Sequence, residues 1–126
     1  MTTYQASDFL NADGSFNTAV IMKLAHIKAR AEINLAICVY AELPKWRTRD
    51  CALWNAQDAA TAATVAPALV AEFKARASFP KYADVLAREL KDIWFRARVT
   101  RDRWIEDTAR REAAELAARP VLALAA

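Results

Sequence analysis

His26 is the only histidine in the chain, and Cys38 and Cys51 are its only thiols. Histidine is the commonest general base, so catalysis would be sought there first. A hydrolytic triad needs a nucleophile beside the imidazole and a carboxylate behind it to fix the tautomer. On a helix the neighbours three and four positions from His26 are Met22, Lys23, Ala29 and Arg30. Two cations and no carboxylate describe a structural or binding histidine. One histidine and two cysteines are also too few soft ligands for a His/Cys metal site, so no metal is expected. The close carboxylates, Asp84 with Glu89 and Asp102 with Glu106, stand among lysines and arginines at helical pairing distance. A catalytic pair must be pushed apart in pKa by burial, and these read as surface ion pairs. With Gly14 the only glycine, neither a dinucleotide-binding glycine motif nor a P-loop is present to cradle phosphates. The chain is expected to be non-enzymatic, with no cofactor.

Binding chemistry is better represented. Residues 94–104 read Trp94-Phe95-Arg96-Ala97-Arg98-Val99-Thr100-Arg101-Asp102-Arg103-Trp104, four arginines against one aspartate between two tryptophans. Arginine forks suit phosphates and carboxylates alike, and Arg and Trp are common interface anchors. Arg96, Arg98, Arg101, Arg103 and Trp104 are therefore candidate partner-binding residues. They fit a protein interface, a phosphate-tracking strip or a solvated face whose tryptophans are core. The charge balance tempers the phosphate reading. Residues 1–43 carry three cations and four acids, 44–78 five and three, and 79–126 ten and eight, so the net charge is −1 + 2 + 2 = +3. Most arginines have carboxylates at pairing distance, so the surface is expected to be less basic than the composition suggests.

Helices must position these residues. The chain has 126 residues, room for one domain, and 30 are alanine. Alanine has the best helix propensity and glycine among the poorest. The expected fold is all-α, a compact bundle of four or five helices over residues 1–126, with an irregular lead-in at 1–17 and a frayed tail at 120–126. Asp13-Gly14 is a turn signal in the lead-in, and Ser15 or Asn17 can cap a first helix over Thr18–Glu42 that stops at Pro44. Val20, Leu24, Ile27, Ala31, Leu35 and Cys38 form one apolar row on it. Met22, Ala25, Ala29, Ile33, Ala36 and Tyr40 form a second, so this helix should be central and buried on more than one side. Thr48 or Asp50 would cap a second helix running to Val65. Pro67 opens a third, ending near Ala77, and Ser78-Phe79-Pro80 repeats the cap-then-proline start.

From Pro80 to Arg119 neither glycine nor proline interrupts the chain, and forty helical residues would measure about 60 Å. A domain of this size has a radius of gyration of about 14 Å. The long C-terminal helix must break, near Val99-Thr100, or project. Tyr82, Leu86, Leu90, Ile93 and Ala97, widened by Val85 and Trp94, form its packing stripe. Its second half is laced with four-residue charge pairs: Arg98–Asp102, Arg103–Asp107, Glu106–Arg110, Asp107–Arg111 and Arg111–Glu115. No secretory signal or membrane span is legible, and the thiols are expected to be free and reduced, as in a bacterial cytoplasm. The last residues, Leu122-Ala123-Leu124-Ala125-Ala126, resemble the end of the bacterial tmRNA degradation tag.

Two further stretches carry a resemblance. Ile21-Met22-Lys23-Leu24-Ala25-His26-Ile27-Lys28-Ala29-Arg30 is similar to a helix reading roughly MKxAHxxAK in small proteins of bacteriophages and mobile elements. Tyr82, Leu86, Leu90-Lys91, Trp94 and Ala97-Arg98 are similar to the helix that follows it there. Residues 31–77 separate the halves in this chain, where that pattern has a short turn. The resemblance implies a phage or mobile-element origin, with Lys23, His26 and Arg30 on one exposed face as a second partner-binding surface. Small proteins of that origin often bind and inhibit host defences such as CRISPR-Cas effectors. The expected function is therefore an accessory protein that blocks a bacterial defence complex, a CRISPR effector being the type, by steric occlusion. The alternative is a small helical nucleic-acid-binding regulator. A virion assembly component is a third reading and would self-associate.

Overall fold

The structure, a computed structural model, describes residues 4–43 and 58–119. Its regular elements are helical: a 3-10 turn at Ala6–Phe9, helix α1 at Thr18–Tyr40, helix α2 at Pro67–Ala75 and helix α3 at Tyr82–Ala118. Residues 58–62 are helical as well. The fold is all-α, as the alanine-rich, glycine-poor composition requires, and no described helix is long and apolar enough to cross a membrane.

Helix α1 starts where its cap predicts. The Asn17 side-chain oxygen accepts the Val20 amide at 3.2 Å, satisfying one of the free N–H groups of the first turn. The helix ends at Tyr40, short of Glu42, because the chain folds back before proline is reached. Leu43 N–H donates to the Cys38 carbonyl at 2.9 Å and Glu42 N–H to that of Val39 at 3.1 Å, while Glu42 holds φ 57°. This is a Schellman stop with glutamate at the left-handed position where glycine is usual. Pro44 and the expected Thr48 or Asp50 cap lie outside the described residues, as do Cys51 and the 120–126 tail.

The expectation of a central helix holds, because α1 lines both parts of the core. Near its start Ile21 and Ala25 pack with Phe9 of the 3-10 turn and with Ile93 and Ala97 of α3. Near its end Ile37 and Cys38 pack with Ala62, with Phe73 of α2 and with Phe79. The deepest row is Ile21-Ala25-Ala29, each fully buried, whereas Met22 is exposed. Alanines there and at Ala97 let α1 and α3 approach closely, and burying a side chain such as Ile93 contributes about 1.5–3 kcal/mol.

Pro67 opens α2 as its sequence suggests, and Phe73 is its one buried residue. Helix α3 begins at Tyr82, with Lys81 rather than Ser78 at the cap position. The Ser78 hydroxyl lies 2.6 Å from the Tyr40 hydroxyl, and Tyr40 stands edge-on to Phe73 and Phe79, so Ser78 ties this corner to α1 instead.

The expected break at Val99-Thr100 does not occur. Helix α3 runs unbroken for 37 residues, about 55 Å. β-branched residues cost a helix only about 0.7 kcal/mol or less each, and the Thr100 hydroxyl donates to the Arg96 carbonyl at 2.9 Å within the helix. The other branch of the expectation applies: every residue from 109 to 119 is exposed, so the helix projects.

The lead-in is more ordered than its composition suggests. Gln5 and Asp8 bond reciprocally around the 3-10 turn, Leu10 and Phe16 form an isolated antiparallel bridge, and Asn17 N–H donates to the Phe9 carbonyl at 2.8 Å. Asp13 accepts from both the hydroxyl and the backbone amide of Ser15, and these bonds, the hydroxyl's first, hold its carboxyl below the usual range. Gly14, at φ 84°, lies flat on the Trp104 ring, where a side-chain methyl would overlap the indole.

Candidate partner-binding surface

The arginines of residues 94–104 do not share one face. At 3.6 residues per turn, Phe95 and Val99 fall opposite Ile93 and Ala97, the buried pair of α3. They are exposed at 61% and 37%. Arg98 lies on one flank of this apolar ridge, and Arg96 and Arg103, seven residues apart, lie on the other. Asp102 and Glu106 close the ridge at its outer end.

Each candidate has a definite place. Arg96 pairs with Asp92 at 3.2 Å. Arg98 and Arg103 are exposed and have no carboxylate within ion-pair reach among the described residues. Arg101 instead places its guanidinium 4.9 Å from the centre of the Phe16 ring. Phe16 in turn meets Trp94 edge-on at 5.2 Å. Trp104 is half-buried beneath Gly14. Arg101 and Trp104 thus hold the N-terminal loop, while Arg96, Arg98 and Arg103 present outward.

The charge pairing differs from the spacing rule. Glu106–Arg110 forms, at 3.9 Å, but Asp107 also turns to Arg110, at 3.7 Å. Arg111 donates to the Thr108 hydroxyl at 3.2 Å. The expected Arg98–Asp102, Arg103–Asp107, Asp107–Arg111 and Arg111–Glu115 pairs are absent among the described residues. Helical spacing permits an ion pair, and exposed side chains gain too little from one to be held in it.

The second surface is built separately. Lys23 and Arg30 are exposed on α1, and His26 between them is half-buried. His26 Nδ1 lies 2.6 Å from the Tyr82 hydroxyl, with the rings stacked, so this histidine fastens α1 to the first turn of α3. Arg96 and Trp104 lie fourteen and twenty-two residues beyond Tyr82, about 21 and 33 Å along the axis. The two groups therefore form distinct surfaces.

Three features escaped the sequence reading. Glu89 was expected at an exposed ion pair, but it sits half-buried against α1. Burial, and then hydrogen bonding and charge from Glu32, raise its carboxyl above the ordinary range. Glu32 also pairs with Arg88. No local pattern marks that contact, because its members are 56 residues apart. Asp58 is wholly buried, with neither carboxylate oxygen hydrogen-bonded among the described residues. The free thiol of Cys38 donates to the Asp58 carbonyl at 3.5 Å. Burial first, and the Asp58 charge second, push that thiol upward and away from reactivity. The third feature is a cleft of about 400 Å³ between the N-terminal loop and α3, lined by Ser7, Leu10, Asn11, Arg103, Trp104 and Asp107 among others.

A shallow apolar ridge with a basic rim can seat against a protein surface of opposite charge, its apolar part excluding water while arginine forks take carboxylates. No protein family, curated protein or solved structure matches the chain.

Proposed function

We propose that the protein is a non-enzymatic accessory protein of phage or mobile-element origin that binds a bacterial defence complex and blocks it by occlusion, the target class being a CRISPR effector. The origin and the target class rest on the resemblance of residues 21–30 and 82–98. The binding surface rests on one observation: Phe95 and Val99 stand exposed between Arg98 and Arg103, two arginines with no carboxylate of their own among the described residues. A continuous helix carries this ridge, so little order has to be created on binding, which favours affinity. The same unpaired arginines suit phosphates, which keeps a nucleic-acid-binding regulator as the second reading.

The test is phage plating on bacteria with an active CRISPR system, with and without expression of this protein. The proposal predicts restored plating, lost in the folded double variant Arg98→Glu/Arg103→Glu. A truncated interface arginine commonly costs about 2 kcal/mol or more. Unchanged plating across CRISPR types would overturn the target class. Restored plating that survives the double variant would remove the ridge from the mechanism.

A further inference from the structure

Beside the ridge, on the Arg103 flank, the cleft between the N-terminal loop and α3 has a chemistry of its own. One wall is α3, contributing Arg103, Trp104 and Asp107. The other is the loop, contributing Ser7, Leu10 and Asn11. The loop is fixed against α3, and braced within itself, by specific contacts. Gly14 rests on the Trp104 ring, and Phe16 lies under Arg101. Asn11 Nδ2 is bonded to the Ser15 hydroxyl at 2.9 Å, and Asn11 N–H to the Ser15 carbonyl at 2.8 Å. The cleft is thus a built feature of the fold.

Its charges select the ligand. Arg103 is the only cation among its described lining residues. Its natural partner Asp107, four residues on, turns away to Arg110, which leaves the Arg103 fork available. Asp107 nevertheless remains on the same wall, and its carboxylate repels a dianion or a phosphate chain more strongly than a single negative charge. Leu10 and the Trp104 ring offer apolar surface next to the fork. A group with one negative charge on an apolar stem satisfies both, the carboxylate taken bidentately by arginine and the stem laid against the indole.

We propose that this cleft binds a carboxylate side chain, aspartate or glutamate, presented by an acidic segment of the partner protein. The inference rests on the reading of the protein as a protein-binding inhibitor and adds where its partner is anchored and by what chemistry. The Phe95–Val99 ridge then covers the surface next to that anchor.

The test uses the full chain, isotopically labelled, titrated with a blocked Leu-Glu-Leu tripeptide, its Leu-Gln-Leu counterpart and inorganic phosphate. The Trp104 indole N–H and the Ser7 and Asn11 amides report on the cleft. The proposal predicts saturable shifts with the glutamate peptide, at least about tenfold weaker binding of the glutamine peptide, and loss of the response in Arg103→Gln. Ala12→Trp, which fills the cleft from its exposed rim and leaves its charges in place, should abolish the response too. Equal response to the two peptides, no saturable response, or larger shifts with phosphate would overturn it. The parent reading is separable from this one. If Ala12→Trp still restores phage plating while Arg98→Glu/Arg103→Glu does not, the inhibitor stands and the cleft as its anchor falls.

Discussion

Gly14 and Trp104 are ninety residues apart in sequence and in contact in the fold. Gly14→Ala should therefore fail twice, through strain at a positive φ and through overlap with the indole, at a cost of about 1–3 kcal/mol by urea denaturation. Unchanged stability would mean that the loop does not rest on α3. Glu42 makes the opposite case. Its left-handed backbone is strained for glutamate, so Glu42→Gly should raise stability by about 0.5–1 kcal/mol, read as a higher denaturant midpoint with an unchanged slope. Both positions show what local signals carry. Asp13-Gly14 was legible as a turn and Asn17 as a cap, since each acts on its immediate neighbours. That the turn serves as a seat for Trp104 was not legible, because the partner is set by tertiary packing.

The contact between α1 and α3 is where local rules and packing diverge. Apolar spacing placed Ile93 and Ala97 in the packing stripe of α3 and Ala25, Ala29 and Cys38 in the apolar rows of α1, and all five are buried. Ile21 and Ile37, buried as well, lay in neither row, and Met22 is exposed. It did not reveal that Glu89 faces Glu32 across the interface. A carboxyl whose native pKa is raised binds its proton more tightly folded than unfolded. Its contribution is complete below the ordinary value of 4.5 and is lost as pH rises through the raised native value. Glu89→Gln should thus flatten the fall in stability just above pH 4.5 and leave the variant more stable than the parent at neutral pH. Thermal melts across that range would show it, and a variant less stable at pH 7 would contradict the sign. For α3 the sequence left two outcomes, a break near Val99-Thr100, where the apolar pattern weakens, or projection of an unbroken helix. The second occurs, because the propensity cost of Val99 and Thr100 is small against the helical run on either side.

The described residues form a packed body from which α3 extends. Residues 109–119 are exposed on every side, so their removal takes almost nothing from the core. A chain ending at Thr108 should unfold within about 0.5 kcal/mol of the parent while losing helical circular-dichroism signal. A large loss of stability would mean that the tip is covered. The all-α class was legible from alanine and glycine content alone. The candidate surface was legible only as a composition, four arginines among aromatics. Its geometry, with Phe95 and Val99 outward and Arg101 and Trp104 taken up by the loop, depends on which side of α3 the rest of the chain covers.

The exposed ridge and its arginines are proposed to engage a protein. The most direct measurement is affinity capture from bacterial lysate expressing defence systems, with nuclease added, across a salt series, using the parent chain and Arg98→Glu/Arg103→Glu side by side. The expected result is a stoichiometric defence protein that survives nuclease with the parent and is lost with the variant. Recovery of nucleic acid alone, released steeply as salt rises, would contradict it and make the arginines phosphate readers.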